Sequence, residues 1–593
     1  MKELNYPFDA DYILTKKRII KRQLLNDTSG MIQKNVAILG GYTTNDIRLI
    51  LELFLLNYGI KAEFYESEYN QFYQDAVFDN NKLEKFKPDI IYICTSNRNV
   101  MRYPSLEDGA DIIENILESE ISKYRSIWDS IETRYGCPII QNNFEMPFYR
   151  LMGNRDANDI HGRVNYLSRL NMAFYEYSQT HENFYICDIN YISADYGLRE
   201  WSDPFYYYMY KYALNVNAIP YLAFNVANII KSIFGKNKKG FVLDLDNTLW
   251  GGVIGDDGVD NIVLGTEDGE GQAYLEFQKY IKEHMDLGVV LNINSKNEFE
   301  NVLSGLKHPD SVLTKEDFVL IKANWSSKDE NFAAIANSLN LLPESLLFID
   351  DNPAERQIVT RQLPEVISPE IGKVYQYIQR IDRGGYFEVT TLSADDYNRN
   401  AMYKENLKRA ELQAEYKDYS EYLRTLEMKA VVRPFESVYF SRIAQLTNKS
   451  NQFNVTTKRY TQKEIEYVAA DMNYITLYGK LADKFGDNGV VTAVIGHVID
   501  DICHLDLWVM SCRVLKRDME FVMMDILVRE CKKRGILEIR GYYYPTPKNK
   551  LVKDFYEIQG FSKINEDEEQ NSKWSFKIDD KYEYKNKVIQ VEG

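Results

Sequence analysis

The chain is poor in cysteine, in net positive charge and in long apolar runs. Its six cysteines (Cys94, Cys137, Cys187, Cys503, Cys512, Cys531) form no C-x-x-C and no paired short spacing across 593 residues. That excludes a disulfide framework or a cysteine-built zinc site, and a reducing, cytoplasmic setting is the expectation. Acidic residues outnumber basic ones 88 to 71, for a net charge of −17. A general nucleic-acid binder shows a basic stripe, so no nucleic-acid partner is expected. No run approaches the roughly 18 apolar residues that span a bilayer. Residues 1–25 lack a basic segment leading into an apolar one, so neither a secretory leader nor a membrane partner is expected.

What is present suits a large globular protein. Hydrophobic residues make up 45% and charged residues 27%, an ordinary balance for a chain with ample core. At about 150 residues per domain, the length implies about four folding units. Over the first third, apolar runs at 35–41, 88–97, 138–144 and 183–190 alternate with helical periodicity, as at 45–58. This is the pattern of a parallel sheet covered by helices. Sites in such sheets form beyond the carboxyl ends of the strands, which here carry Thr43, Asn45, Ser96, Asn97, Asn142, Asn143 and Asp188. After the basic linker GKNKKG near 235, a second strand–helix series runs to about 385, with strands near 287–293, 318–321 and 346–349. Residues 393–426 are charged and helical in period, a connecting helix or pair of helices. From 428 the pattern turns to strands, then a helix over 517–533, then strand, helix and strand.

The most informative stretch is 241–258, FVLDLDNTLWGGVIGDDG. An apolar strand delivers Asp244, and the chain then turns to bring Asp246 over it, with Thr248 bracing the turn by local hydrogen bonds. Adjacent carboxylates at a strand end repel one another unless a cation joins them, and Mg²⁺ takes such oxygen ligands. A metal-held carboxylate facing a phosphate is a nucleophile. The second carboxylate then serves as general acid and base.

D-x-D-x-T after an apolar strand resembles the haloacid-dehalogenase (HAD) superfamily, and the longer string DLDNTLWGGVIGDDG resembles its FkbH-like branch, of HAD-IIIC type. The superfamily's other motifs follow in order. Ser295 in NSK matches the phosphate-binding second motif, Lys328 the third-motif lysine, and Asp350-Asp351 in SLLFIDDNPAER the metal-binding fourth motif. The resemblance implies Asp244 and Asp246 as catalytic residues, Thr248, Ser295 and Lys328 as substrate-binding residues, and Asp244, Asp246 and Asp350 as ligands of Mg²⁺. About fifty residues separate Asp244 from Ser295, room for a glycine-rich flap over Trp250–Gly258 and for no large cap.

The resemblance continues to both sides. Residues 1–235 resemble the family's SGNH-hydrolase-like domain in degenerate form. Gly41-Tyr42-Thr43 stands in place of Gly-Asp-Ser, and DPFYYYMY (203–210) has tyrosine in place of the expected histidine, with His161 a loose alternative. Residues 236–390 read as the HAD-like domain, 391–427 as a helical connector and 428–593 as a GNAT-like acyltransferase domain. The fold class is thus multidomain α/β: two doubly wound parallel-sheet domains followed by an α+β unit. The GNAT phosphate loop aligns with 513–518, where Lys516 replaces the usual glycine and Arg513 and Arg517 offer charge to a substrate phosphate.

Cys512 admits two readings. Beside Arg513, Lys516 and Arg517 it is a catalytic thiolate carrying an acyl group; otherwise it is a small buried residue at a strand end. His497 and His504, on neighbouring strand-like segments, are either its bases or structural. The cluster Lys516, Arg517, Lys532, Lys533, Arg534, Lys548 and Lys550 is a docking patch for an acidic partner or a solvated face. The family resemblance implies an enzyme that takes a glyceryl or phosphoglyceryl group from 1,3-bisphosphoglycerate and removes phosphate. It would load the group as a thioester on the phosphopantetheine arm of an acyl carrier protein. The alternative is a HAD phosphatase acting on a sugar or metabolite phosphate in surface-glycan or secondary-metabolite synthesis.

Overall fold

The computed structural model describes residues 1–28, 30–579 and 581–592, arranged as two compact units, Met1–Lys231 and Ser232–Gly593. The first holds a five-stranded sheet of β1 (Ile32–Gly40), β2 (Ile60–Glu66), β3 (Ile90–Cys94), β4 (Ile139–Asn142) and β5 (Phe184–Cys187). The spatial order is β2-β1-β3-β4-β5 and every pairing is parallel. All five residues of β3 are buried, because a parallel strand between helical layers has no wet face. The periodicity passed over β2. Its IKAEFYE mixes apolar and charged residues and lies at the sheet edge with most positions half-exposed.

The second unit contains two sheets. The first is four-stranded and parallel, in the order β8-β7-β6-β9, from β6 (Gly240–Leu243), β7 (Val290–Ser295), β8 (Phe318–Ala323) and β9 (Leu346–Ile349). β6 is buried along its length and flanked on both sides, so the motif that follows it emerges from the middle of the sheet.

Residues 393–426, read as one helix or two, form three: Ala394–Tyr397, Arg399–Ala414 and Tyr419–Thr425. The longest is tied to the last sheet by a buried ion network in which Arg409 donates to Asp483 through two bonds of 2.7 Å.

The last sheet has nine strands: β10 (Lys429–Arg433), β11 (Phe453–Asn454), β12 (Tyr474–Asp483), β13 (Gly486–Ile499), β14 (Ile502–Met510), β15 (Glu538–Tyr543), β16 (Ser562–Glu566), β17 (Ser572–Lys577) and β18 (Gln590–Glu592). The centre, β12-β13-β14, is antiparallel. The helix Met519–Lys533 then crosses over to a parallel β15. β14 and β15 share three registered pairs before they part, and β11 pairs with the far end of β14. The fold is therefore mixed α/β, two parallel sheets followed by an α+β sheet whose pairings are parallel at β14–β15 and β10–β18. Among the described residues no helix is long and apolar enough to cross a membrane.

Candidate active site at the carboxyl end of the four-stranded sheet

Three neighbouring strands deliver the site. Asp244 follows β6, its amide donating to Ile349 of β9 at 2.9 Å. Asp350 and Asp351 follow β9. Ser295 ends β7 two residues beyond the Leu243–Ile293 pair, one strand over from Asp244, and is buried. Lys328 opens the helix after β8, its carbonyl accepting from Asn294 at 2.8 Å.

The Lys328 ammonium lies 2.9 Å from Asp244 and 2.5 Å from Asp350 and is only 3% exposed. Carboxylate oxygens of Asp244, Asp350 and Asp351 all fall within 4.8 Å of one another. One ammonium faces three carboxylates, so the cluster carries excess negative charge in a poorly hydrated place. Burial first, and then Asp244, push the Asp350 carboxyl up to about 7; the same two causes raise Asp351. Burial pulls Lys328 down, but Asp244 and Asp350 outweigh it and its pKa is raised. A divalent cation is the remedy such a donor set fits, since hard cations take clustered carboxylate oxygens.

Thr248 is buried, and its hydroxyl accepts from the Asp351 amide at 3.2 Å, lashing the two motif loops together. It braces the site from behind. Asn247 takes a positive φ of 55°, a turn that swings the chain off the strand line. Asp246 lies outside the three-carboxylate cluster, where Asp351 stands beside Asp244 and Asp350. The Asp246 carboxylate instead accepts from Trp250 Nε1 (3.0 Å), the Ile254 amide (3.1 Å) and Asn297 (2.8 Å). Burial raises its pKa, which favours a proton-donating form. The flap is pinned by paired bonds between Gly251 and Val263 and by the buried Trp250 and Ile254.

The remaining predicted residues lie elsewhere. Cys512 lines a cavity with Lys239, the residue just before β6. Five residues of strand advance, about 16 Å, separate Lys239 from Asp244. Cys512 therefore stands by the amino end of the sheet, apart from the aspartate cluster. Nor do the histidines serve it. His504 pairs with His497 on β13, bonds Tyr542 at 2.7 Å, and is six residues (about 20 Å) along the strand from Met510.

Arg513 and Arg517, expected to hold substrate phosphate, are buried and already paired. Arg513 meets Asp395 at 3.1 Å, and Arg517 meets Asp483 at 3.1 Å while donating to the Arg513 carbonyl at 2.8 Å. Lys516 keeps a left-handed φ of 64°, the conformation a glycine there would supply, and its carbonyl accepts from Tyr419. Asp518 and Glu520 bring carboxylates to the start of the following helix, and burial raises both, Glu520 to about 7. Of the basic residues beyond, Lys533 pairs with Glu530 (2.8 Å) and Lys548 with Glu344 (2.7 Å).

In the first unit the strand-end polar groups bind one another. Asn143 donates to Asp188 at 2.6 Å, Asn142 to the Thr95 carbonyl at 3.0 Å, and Thr43 to the Tyr210 carbonyl at 2.7 Å. His161 is held between Asp159 and the Asp108 carbonyl.

The family model described as FkbH, N-terminal domain, matches residues 35–231. A crystal structure of the N-terminal part of protein BF1531 from Bacteroides fragilis, containing a phosphatase domain complexed with Mg, is 29% identical with a TM-score of 0.59; the match covers 63% of this chain and 99% of that one. The ribosomal-protein-S18-alanine N-acetyltransferase of Escherichia coli aligns over 25% of this chain and 94% of its own at 13% identity and TM-score 0.21. A GNAT-family acetyltransferase from Streptococcus pneumoniae aligns over 26% of this chain and 100% of its own at 15% identity and TM-score 0.21. No curated protein matches. The resemblance to FkbH-like proteins and a phosphatase-type site thus stand on a family match, a solved neighbour and the site's own geometry.

Proposed function

We propose that this FkbH-like chain is a Mg²⁺-dependent phosphotransferase that produces a glyceryl thioester on an acyl carrier protein from 1,3-bisphosphoglycerate. The observation that carries the phosphate chemistry is the buried Asp244–Lys328–Asp350 cluster with Asp351 beside it. Asp244, Asp350 and Asp351 would hold the cation, which when bound neutralises charge on the phosphoryl group.

Asp244 attacks phosphorus and forms an aspartyl-phosphate as the ester P–O bond breaks. Asp246 gives its proton to the departing oxygen and then takes one from the water that releases phosphate. Lys328 and Ser295 counter the charge on the equatorial oxygens. At the acyl end, the carrier's thiol attacks the acyl-phosphate carbonyl and phosphate leaves. No acyl-enzyme on Cys512 is needed, since that thiol is at the other end of the sheet. The same separation favours a second reading, in which this chain is a phosphatase of a sugar or metabolite phosphate in surface-glycan or secondary-metabolite synthesis. The cytoplasm is the setting this reading assigns to either activity, since the cysteines show no paired short spacing.

Intact-protein mass spectrometry separates the two. The chain is incubated with Mg²⁺, 1,3-bisphosphoglycerate and a phosphopantetheinylated carrier; a glyceryl mass on the carrier is the expected result. Phosphate release with an unmodified carrier sinks the transferase and leaves the phosphatase.

Metal dependence has its own readout. Saturation at about a hundred times Kd stabilises a folded chain by about 2.7 kcal/mol. Millimolar Mg²⁺ should therefore raise the unfolding temperature, EDTA should reverse the rise, and Asp350→Asn should abolish it. An Asp350→Asn chain that still responds fully would remove Asp350 from the ligand set. Trp250 is a positioning residue: Trp250→Phe keeps an apolar aromatic ring at the position but loses the bond to Asp246. Losing the partner of a buried polar group costs about 1–3 kcal/mol, so kcat should drop about fivefold or more with KM unchanged. An equal rise in KM would point instead to a disordered flap.

A further inference from the structure

At the amino end of the four-stranded sheet, away from the aspartate cluster, lies a cleft of about 70 Å³. By the same measure a single water needs about 10–15 Å³, so there is room for a tetrahedral anion. Five cationic side chains line it: Lys239, Arg399, Arg442, Lys449 and Arg513. Two carboxylates answer them. Asp395 meets Arg442 at 2.8 Å and Arg513 at 3.1 Å, while Asp396 is paired with Arg399 and lies 3.3 Å from Lys449. Positive charge is therefore in excess on a floor that includes Leu341, Leu446 and Met510.

Two groups in the cleft are unsatisfied. The Arg442 Nε is buried without a hydrogen-bond partner, and Lys239 has no ion-pair partner among the described residues. The crowding registers on Lys449, whose ammonium is pulled down to about 7 by burial and then by Arg399. Guanidinium forks beside ammonium groups suit an anion with several oxygens and more than one charge.

We infer that this cleft is a second phosphate-binding site, separate from the Asp244 cluster, recognising a phosphate group either as the free ion or as a monoester such as the phosphate of a pantetheine arm. As a phosphate site it goes beyond the proposed activity; only the pantetheine arm as its source rests on that reading.

Cys512 lies in the wall of the cleft and is the one cysteine of the six that is not buried. Its alkylation by neutral iodoacetamide, followed peptide by peptide, therefore reports occupancy at this place alone. Millimolar inorganic phosphate should slow the reaction about tenfold, the factor that about 1.4 kcal/mol of binding supplies, whereas chloride at matched ionic strength should not. The protection should persist in Asp244→Asn, which separates this site from the catalytic one. It should be lost in Lys239→Met, which breaks no ion pair, and in Lys449→Met, where Asp396 keeps Arg399.

4′-Phosphopantetheine in a parallel arm identifies the source: protection by it alone assigns the arm, by phosphate alone the free ion, and by both the shared group. Calorimetric titration of phosphate needs no thiol and should show one site weakened about tenfold in Lys239→Met. Protection no greater than chloride gives, or protection and titration unchanged in both lysine variants, would overturn the inference.

Discussion

Asp244→Asn should lower phosphate release by about a thousandfold or more while leaving the chain folded. Removing a catalytic nucleophile forfeits the whole covalent route rather than one interaction. The amide keeps the shape of the carboxyl, and the Asp244 backbone bond to Ile349 is untouched. It also removes one of three crowded carboxylates, so the metal-free variant should unfold at the same or higher denaturant than the parent. Turnover of a simple aryl phosphate with Mg²⁺, measured beside a urea titration, decides the matter. Unchanged turnover at unchanged stability would dismiss Asp244 as nucleophile, and lost turnover in an unfolded chain would say nothing for it.

The second large effect is on stability. Lys328→Met conserves volume but strips the ammonium that lies between Asp244 and Asp350, at a position 3% exposed. Removing one partner of a buried ion pair costs about 3–5 kcal/mol because the other charges stay behind uncompensated. The metal-free variant should lose stability on that scale, and Mg²⁺ should restore more stability to it than to the parent. If Lys328→Met is as stable as the parent without metal, the ammonium is not the counter-charge of this cluster. Activity should fall as well, since the phosphoryl oxygens lose the same ammonium.

Which of these residues could be read before the fold was known follows from their distance along the chain. The strand positions of the parallel sheets were legible because a buried parallel strand is an uninterrupted apolar run, as in PDIIYICTSN, where β3 falls at Ile90–Cys94. The edge strand β2 was not, because most of its positions are half-exposed and mix charged with apolar residues, as a loop does. Asp244, Ser295, Lys328 and Asp350 were legible because each directly ends a strand or begins a helix, so local order alone puts it at the sheet's carboxyl end. The place of the Asp246 carboxylate outside the cluster was not legible, since it turns on a positive φ at Asn247 and on where Trp250, Ile254 and Asn297 lie in space.

The sequence by itself determined the layered α/β architecture and the motif order of a phosphate site, because periodicity and strand-end position are local properties. Tertiary structure alone decided the fate of the basic residues near the last sheet. Arg513, Arg517 and Cys512 carry the same local signal whether they face a ligand or an internal carboxylate. Only the approach of Asp395 and Asp483, over a hundred and over thirty residues earlier in the chain, turns the two arginines inward. The amino end of β6 likewise brings Lys239 to Cys512 and makes a cationic cleft of residues that look scattered in the chain. Charge acts through space, and a sequence orders it only along the backbone.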